Sequence, residues 1–282
     1  MAILLRIGLT PIAFALVSKA QSRFGDWIGG RLIGLPLTTG PFLLTVCMTS
    51  SRTTAAHAAA GVTSGQMAVV MFCSSYAWTA RRMRPLPATL ASLGVALTAV
   101  VALSSFAGIW SSASAVWIAI AASLVLWPWA RHEAHPTEAA TATPTATTVA
   151  NAPAAPAPML QRALISTAVV ATMSTLVPIL GARPAGIISS APILLSIMLP
   201  GTHRQSGPAG AAAMARGTIV SMAATVAFSA TLATTLPQMQ AWSALLVSAS
   251  VLCCLIAATP LLDRAAVLIS PTPARGHAPA HP

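Results

Sequence analysis

Two prolines interrupt apolar segments of this chain where a broken helix would expose backbone groups. Pro36 lies in the stretch RLIGLPLTTGPFLL, and Pro192 lies in a second apolar stretch beside serines. Proline removes a backbone donor and prevents the preceding helical turn from closing, so carbonyl groups remain free near it. The candidate residues for binding a small molecule at these breaks are Gly34, Pro36, Thr38, Thr39, Gln66, Ser189, Ser190 and Pro192.

A purely structural interpretation of these residues stays open. Proline and glycine commonly kink membrane helices and let them pack closely. A serine or threonine inside such a helix usually bonds to its own backbone one turn earlier. Gln66 is less easily explained in this way, because a buried amide needs partners from a neighbouring helix or a cavity.

Acidic residues are rare and lie away from the centres of the apolar segments. Glu133 and Glu138 fall in a polar stretch, and Asp263 follows the last predicted helix. Proton or sodium coupling commonly relies on an acid within the membrane. Three possibilities for energy coupling therefore stay open. The protein is a facilitator without coupling, or coupling uses Asp26, or backbone carbonyls coordinate the coupling ion. Asp26 and Arg31 form a candidate gating pair near a helix start, with a solvated interfacial role as the alternative.

Histidines and cysteines show no spacing typical of a metal site or a catalytic nucleophile. The histidines of the polar segments form no tetrahedral ligand set; they are His132, His135, His277 and His281. The four cysteines lie in apolar segments without a CxxC motif and are expected to be packing residues. A phosphate-binding glycine loop is also absent from the sequence. We predict no metal, no cofactor and no enzymatic activity.

Composition places the chain in a membrane. Hydrophobic residues make up 56% of it, charged residues 7%, and the mean hydropathy is +0.78. Apolar stretches of about 17 to 25 residues, enough to cross a hydrocarbon core of about 30 Å, recur throughout. Because lipid offers no hydrogen-bond partner and no barrel-like alternation appears, we predict an all-α polytopic transmembrane bundle. About nine helices are predicted, near residues 3–19, 27–48, 61–79, 86–106, 113–130, 160–180, 184–200, 211–235 and 242–260.

Two polar segments divide the predicted chain. Residues 131–158 are rich in Ala, Thr and Pro, a composition that cannot build a core and is typical of a flexible linker. Residues 271–282 have a similar composition and are predicted to be a disordered tail. Residues 1–130 then form a first unit of five helices, and residues 159–270 form a second unit of four.

Basic residues predict the orientation in the membrane. The net charge of +11 comes mainly from arginines placed singly at helix ends, which does not favour nucleic-acid binding. The cluster ARRMRP at residues 80–85 is expected to be cytoplasmic, because cytoplasmic loops carry an excess of Lys and Arg. Counting crossings from this cluster places the N-terminus outside and the C-terminus in the cytoplasm. Only Arg6, Arg52 and Arg183 then lie outside.

An internal repeat relates the two units. Residues 25–72 align without a gap with residues 181–228, an offset of 156 (181 − 25), and 12 of the 48 positions are identical. Pro36 aligns with Pro192. Such self-similarity predicts a duplicated structural unit. Arg6 also aligns with Arg162, which argues against the alternative that the first helix is a cleavable signal peptide.

The loops after the third helix of each unit indicate opposite orientations. The segment RRMRPLP at residues 81–87 aligns with PQMQAWS at residues 237–243, where every arginine has been lost. If five helices precede the second unit, that unit enters the membrane upside down, and its equivalent loop faces outside without positive charge. We predict an inverted-topology repeat of five plus four helices.

Two families resemble this pattern. The inverted plan is similar to the five-plus-five arrangement of the drug/metabolite transporter superfamily. The stretch IGGRLIGLPLTTGPFLL, followed by AAHAAAGVTSGQMAVVMF, resembles the small bacterial GlpM-type membrane proteins, over residues 25–72 and 181–228. The resemblance implies two fused GlpM-like units in a bacterial inner membrane, and it supplies no catalytic residues.

These features together favour a carrier or exporter of a small neutral or anionic metabolite. Paired discontinuous helices in inverted repeats are where carriers bind substrate, near the membrane midplane. A non-transporting accessory protein of a biosynthetic or envelope complex is the alternative. The expected partners are the lipid bilayer and a small-molecule substrate, with a homo-oligomer left open.

Overall fold

A computed structural model describes Lys19 and residues 23–37, 39–105 and 179–269. Three predicted helices lie outside these residues, apart from Lys19 and residues 179–180; they are the helices at 3–19, 113–130 and 160–180. The predicted linker and tail also lie outside them. Every regular element within the described residues is an α-helix, which confirms the all-α prediction. The helices are α1 Asp26–Ile33, α2 Thr39–Thr49, α3 Arg52–Thr79, α4 Pro85–Ser105, α5 Ala182–Ser189, α6 Ile193–Thr235 and α7 Ala241–Ile269.

Four helical stretches are long and apolar enough to cross a membrane. They are Arg52–Thr79, Pro85–Leu103, Ala182–Thr235 and Ala241–Ala258. This finding supports the prediction of a polytopic membrane protein. The third stretch combines α5 and α6, and its 54 residues exceed a single crossing of about 20 residues.

Helix α6 folds back on itself at Gly207. This glycine has a φ of 72°, a left-handed value that glycine tolerates best, and Pro208 follows at a position that suits a helix start. Thr202 donates a 3.1 Å hydrogen bond to the sulfur of Met214. Residues 12 positions apart would lie about 18 Å apart along a straight helix, so α6 consists of two arms. We name residues 193–206 α6a and residues 208–235 α6b.

The helix bounds repeat at the offset found in the sequence. When 156 is added to the residue numbers of α1, the result is the bounds of α5. The same shift takes the bounds of α3 to those of α6b, and the first residue of α4 to the first residue of α7. The residues preceding α1 and α5, Gly25 and Gly181, share a left-handed φ of 88° and 85°. Within the described residues, the two halves therefore fold into equivalent helices in the same order.

The long equivalent helices, α3 and α6b, run antiparallel at the centre. One apolar cluster joins residues 55–62 of α3 to residues 228–236 at the end of α6b. A second cluster joins residues 69–80 of α3 to residues 211–222 at the start of α6b. Between these clusters, Thr63 Oγ1 donates a 2.9 Å hydrogen bond to Ser229 Oγ.

Helix α1 packs on α6b, the long helix of the other half. Gly30 lies against the backbone of Met214, and Gly217 lies against the carbonyl of Trp27. A Cβ atom at either glycine would overlap these backbone atoms. Small residues let membrane helices approach in this way.

The same contact occurs on the opposite side with the halves exchanged. Gly186 of α5 lies against the carbonyl of Ala58 in α3, and Gly61 lies against the carbonyl of Arg183. Each of these four residues is the counterpart, 156 positions away, of a residue in the first contact. Contacts duplicated with exchanged roles are what a two-fold relation between two copies produces.

Several predicted boundaries were wrong. Helix α3 begins at Arg52, nine residues before the predicted start, because Ser51 caps it by accepting a 3.2 Å bond from the backbone N–H of Thr54. Helix α7 continues to Ile269, so Asp263 lies within this helix instead of after it.

Candidate functional site

Two helix breaks form the centre of the candidate site. Helix α1 ends at Ile33 and α2 begins at Thr39, while α5 ends at Ser189 and α6a begins at Ile193. At each break the proline carbonyl accepts a 2.8 Å hydrogen bond from a backbone N–H four residues later, Pro36 from Gly40 and Pro192 from Ser196. The two prolines therefore begin the second helix of each pair in the same manner.

The helices on either side of the first break, α1 and α2, are both short. Helix α1 has 8 residues and α2 has 11, so at 1.5 Å per residue they are about 12 Å and about 16 Å long. Neither helix alone spans a hydrocarbon core of about 30 Å, whereas the two in series do. Helix α1 packs on the first half of α6b, and side chains of α2 join the apolar cluster at the end of α6b. The two lengths are those expected if one crossing were shared between two short helices.

Threonines of α6b bind the carbonyls that α1 leaves at its end. Thr225 Oγ1 donates a 2.6 Å hydrogen bond to the Gly34 carbonyl, and Thr218 Oγ1 donates a 3.1 Å bond to the Gly30 carbonyl. The Gly30 carbonyl also accepts a 3.0 Å bond from the Gly34 N–H, whereas Gly34 lies past the last turn of α1, where a carbonyl has no partner within the helix. In a membrane such a carbonyl needs a partner from the protein, water or a ligand.

The second break uses its own serines instead. Ser190 Oγ lies 3.3 Å from the Val62 carbonyl of α3 and 3.2 Å from the Gly186 carbonyl, and donates toward both. Ser189 Oγ donates a 2.7 Å bond to the same Gly186 carbonyl. Both predicted serines therefore bind backbone groups, and only Ser190 also joins the two halves.

Tight packing surrounds both breaks. A Cβ atom at Gly34 would overlap the Ser221 hydroxyl, and one at Gly65 would lie 2.8 Å from Ser190 Cβ and 2.7 Å from the Ile187 carbonyl. These are again equivalent contacts with the halves exchanged. Gly34 is thus placed where close helix packing requires glycine, which supports the structural interpretation for this residue.

Gln66 and Thr39 are the predicted residues whose polar groups the fold leaves available. Gln66 lies near the middle of α3 and is 3% exposed, and Thr39 opens α2 and is 5% exposed. Neither side chain forms a hydrogen bond with the part of the chain that the structure describes. Buried polar side chains almost always have a partner, so a small polar ligand or water is the natural complement.

The remaining predicted residues have clear positions. Thr38 lies outside the described residues. Pro36 is half-buried and Pro192 is buried. Asp26 and Arg31 are both half-buried in α1, and the Asp26 carboxylate lies beside Gly210 at the start of α6b. Their gating role stays a prediction.

Buried basic residues are more prominent than the sequence indicated. We expected Arg216 to begin a helix and extend to the headgroups, but α6b begins eight residues earlier and Arg216 is 6% exposed. Arg183, in the first turn of α5, is half-buried. Both residues place positive charge within the bundle.

One polar pair was missed by sequence reasoning. Tyr76 Oη of α3 lies 3.3 Å from His203 Nδ1 of α6a, and the rings meet edge to face at a centroid distance of 6.1 Å. Both side chains are buried. Because the two residues are 127 positions apart, only the fold brings them together.

Cysteines and metal-binding groups add nothing further to the site. Cys47 and Cys73 are buried, while Cys253 and Cys254 are exposed on α7. Among the described residues, no group of three or more His, Cys, Asp or Glu side chains is placed to hold a metal ion.

Comparison with known proteins supplies no relative for this arrangement. Family models, curated proteins and solved structures were all searched, and none matches the chain.

Proposed function

We propose that this chain is an integral membrane carrier or exporter of a small neutral or anionic metabolite, with its site at the paired helix breaks. In this proposal it is a GlpM-like protein of a bacterial inner membrane, with nine helices in an inverted repeat of five plus four. The N-terminus lies outside and the C-terminus in the cytoplasm. The observation that carries the proposal is the occurrence of two equivalent helix breaks, each preceded by a short helix that packs on the long helix of the other half.

Antiparallel packing of α3 and α6b supports the inverted repeat. The two helices are equivalent by residue number, and both are apolar enough to cross a membrane. If both cross it, antiparallel equivalent helices give their units opposite orientations. The loss of arginines from the loop after α6b agrees with an outward position for that loop.

The chemistry of the buried side chains supports a neutral or anionic substrate. Around the breaks and the central interface, the described polar groups are one amide and several hydroxyls, which hydrogen-bond neutral solutes without requiring charge. They include Thr39, Thr63, Gln66, Thr225 and Ser229. Arg216 adds a buried cation in the same helix as Thr225, which favours an anion over a cation.

The two duplicated small-residue contacts provide a basis for alternating access. Gly30 and Gly217 on one side, and Gly186 and Gly61 on the other, bring the helix backbones into direct contact. One half rocking against the other about these contacts would expose the breaks first to one side and then to the other. Gln66, near the centre of the bundle, would stay within reach of a bound solute in both states.

The test replaces Gln66 by methionine, the residue at the equivalent position 222. Cells expressing the wild type or Gln66→Met would be compared by untargeted mass spectrometry of cytosol and medium, with membrane abundance measured in parallel. We expect at least one small metabolite to redistribute with the wild type only, at equal abundance. Met222→Leu serves as the matched control and should transport normally. No redistribution with abundant wild-type protein would contradict the carrier proposal.

Tight packing at Gly34 and Gly65 favours a second candidate, a non-transporting accessory protein. In that case the breaks shape the bundle for a partner complex and bind no solute. Gln66→Met would then leave all metabolites unchanged, and the protein would copurify with a defined membrane complex after mild solubilisation.

A further inference from the structure

The buried contact between Tyr76 and His203 lies at one end of the bundle only. His203 is 7% exposed and Tyr76 is fully buried. Their counterparts at the opposite end are Leu232 and Cys47, which both belong to an apolar cluster. Two apolar side chains are therefore sufficient for packing at this position of the fold. Only one half has the polar pair Tyr76 and His203, which points to a function beyond packing.

Histidine is the side chain that gains or loses a proton near neutral pH. In its neutral form, one ring nitrogen of His203 accepts a hydrogen bond and the other donates one. Once protonated, both nitrogens donate, so the Tyr76 hydroxyl can only accept from Nδ1. Protonation also places a full charge inside the bundle, which is costly unless water or an opposite charge reaches it.

Charged and titratable groups around the pair come from every neighbouring element. Helix α3 supplies Cys73 one turn away, and α4 supplies the Thr89 hydroxyl near Tyr76, which donates to its own helix at the Pro85 carbonyl. Helix α6a supplies Arg204, whose charge acts on Tyr76, and α1 supplies Asp26 beside Gly210. The loop between α3 and α4 carries three exposed arginines, Arg81, Arg82 and Arg84.

We propose that His203, paired with Tyr76, is a proton-binding site that couples proton uptake to opening of the bundle at its cytoplasmic end. A proton from the cytoplasm binds the imidazole nitrogen that carries no hydrogen, and no covalent bond is broken; the Tyr76 hydroxyl then accepts from Nδ1–H. The resulting cation lies next to Arg204 on the chain, so the closed state becomes less favourable. The open state, in which water solvates the imidazolium, is then favoured. This inference rests on the proposed function, because it names the coupling ion of that carrier.

The first experiment titrates the histidines directly and needs no substrate. The full chain, labelled with ¹⁵N and ¹³C in its six histidines, would be studied by NMR in lipid nanodiscs. His203→Gln assigns the His203 signal, and Tyr76→Phe tests the pairing. We expect His203 to titrate between about pH 5 and about pH 8, and Tyr76→Phe to change the midpoint of the His203 titration. A His203 signal that stays neutral throughout this range would overturn the proposal.

The second experiment measures opening by hydrogen exchange of residues 198–212. After correction for the intrinsic pH dependence, acidification through the His203 titration should raise exchange there by about tenfold, the change that one pKa unit represents. His203→Gln should abolish this rise, and the equivalent residues 42–56 should show none. Titration of His203 without any change in exchange would also overturn the proposal.

These outcomes are separable from the carrier proposal. A protein that titrates and opens but moves no metabolite would retain the proton site and lose the carrier function. A protein that transports without titration of His203 would be a carrier whose coupling lies elsewhere.

Discussion

The Thr225 hydroxyl donates a 2.6 Å hydrogen bond to the carbonyl of Gly34, the residue that follows α1 at the first helix break. The donor lies in one half of the chain and the acceptor in the other. The break thus exposes a backbone group to the opposite half, and the two halves are joined at the candidate site itself.

Replacing Thr225 by valine keeps the shape of the side chain and removes this donor. We expect a loss of about 0.6 to 2 kcal/mol of stability, the range for hydrogen bonds between membrane helices. Equilibrium unfolding in mixed micelles measures it. Thr234→Val is the control, since Thr234 bonds only to carbonyls of its own helix, at Ala230 and Thr231. Equal losses for both variants would show that the bond to Gly34 carries no special weight.

Alanine at Gly61 and at Gly217 should be equally harmful. In each case the new Cβ overlaps a carbonyl of the opposite half, and overpacking of this kind costs about 1 to 3 kcal/mol. Gly94→Ala is the matched control, because no atom lies within 4 Å of a Cβ placed there. Thermal denaturation monitored in detergent would rank the three variants. If Gly94→Ala were the most destabilising, the packing described for the two contacts would be incorrect.

Thr63 and Ser229 should be energetically coupled across the central interface. A double-mutant cycle with Thr63→Val and Ser229→Ala isolates their hydrogen bond, for which we expect a coupling of about 0.6 to 1.7 kcal/mol. The equivalent positions hold Cys73 and Ile219, an apolar pair in the second of the two clusters described above. A cycle through Cys73→Ala and Ile219→Val reports packing alone. Coupling near zero between Thr63 and Ser229 would contradict the antiparallel register of α3 and α6b.

Joint replacement of Arg81, Arg82 and Arg84 by glutamine should mix the membrane orientation of the protein. These exposed residues follow α3 and, in the proposed topology, hold this loop in the cytoplasm. Protease accessibility of the loop in spheroplasts measures the orientation. Transport by correctly oriented molecules should persist, since none of the three residues lies at the breaks. A fully uniform orientation combined with lost transport would assign them a functional role instead.

Sequence reasoning located the breaks because they depend on local residue types. Pro36 and Pro192 cannot continue a helix, and their match at a fixed offset needs no knowledge of the fold. The start of α3 was missed because its first residues, RTTAAHAAA, are only weakly hydrophobic, although Ser51 is a good N-cap residue. A cap therefore determined this boundary where hydropathy did not.

The site could be predicted only in part, for a physical reason. Small residues recur at spacings of four in both halves, as with Gly61 and Gly65, and this signal for close packing was present in the sequence. The residues on the other side of those contacts could not be predicted, because the three-dimensional arrangement determines which helix lies opposite. His203 was overlooked for the same reason. Nothing beside it in the sequence indicates that Tyr76 is its neighbour.

The most direct test of the inverted repeat, on which the carrier proposal depends, is the side of the membrane on which the two equivalent loops lie. In a variant whose four native cysteines are replaced by serine, Met83→Cys would probe the loop after α3 and Gln238→Cys the loop after α6b, both at exposed positions. The account predicts that a membrane-impermeant maleimide labels Gln238→Cys in intact spheroplasts and labels Met83→Cys only after the membrane is disrupted. Labelling of both cysteines from the same side would contradict it.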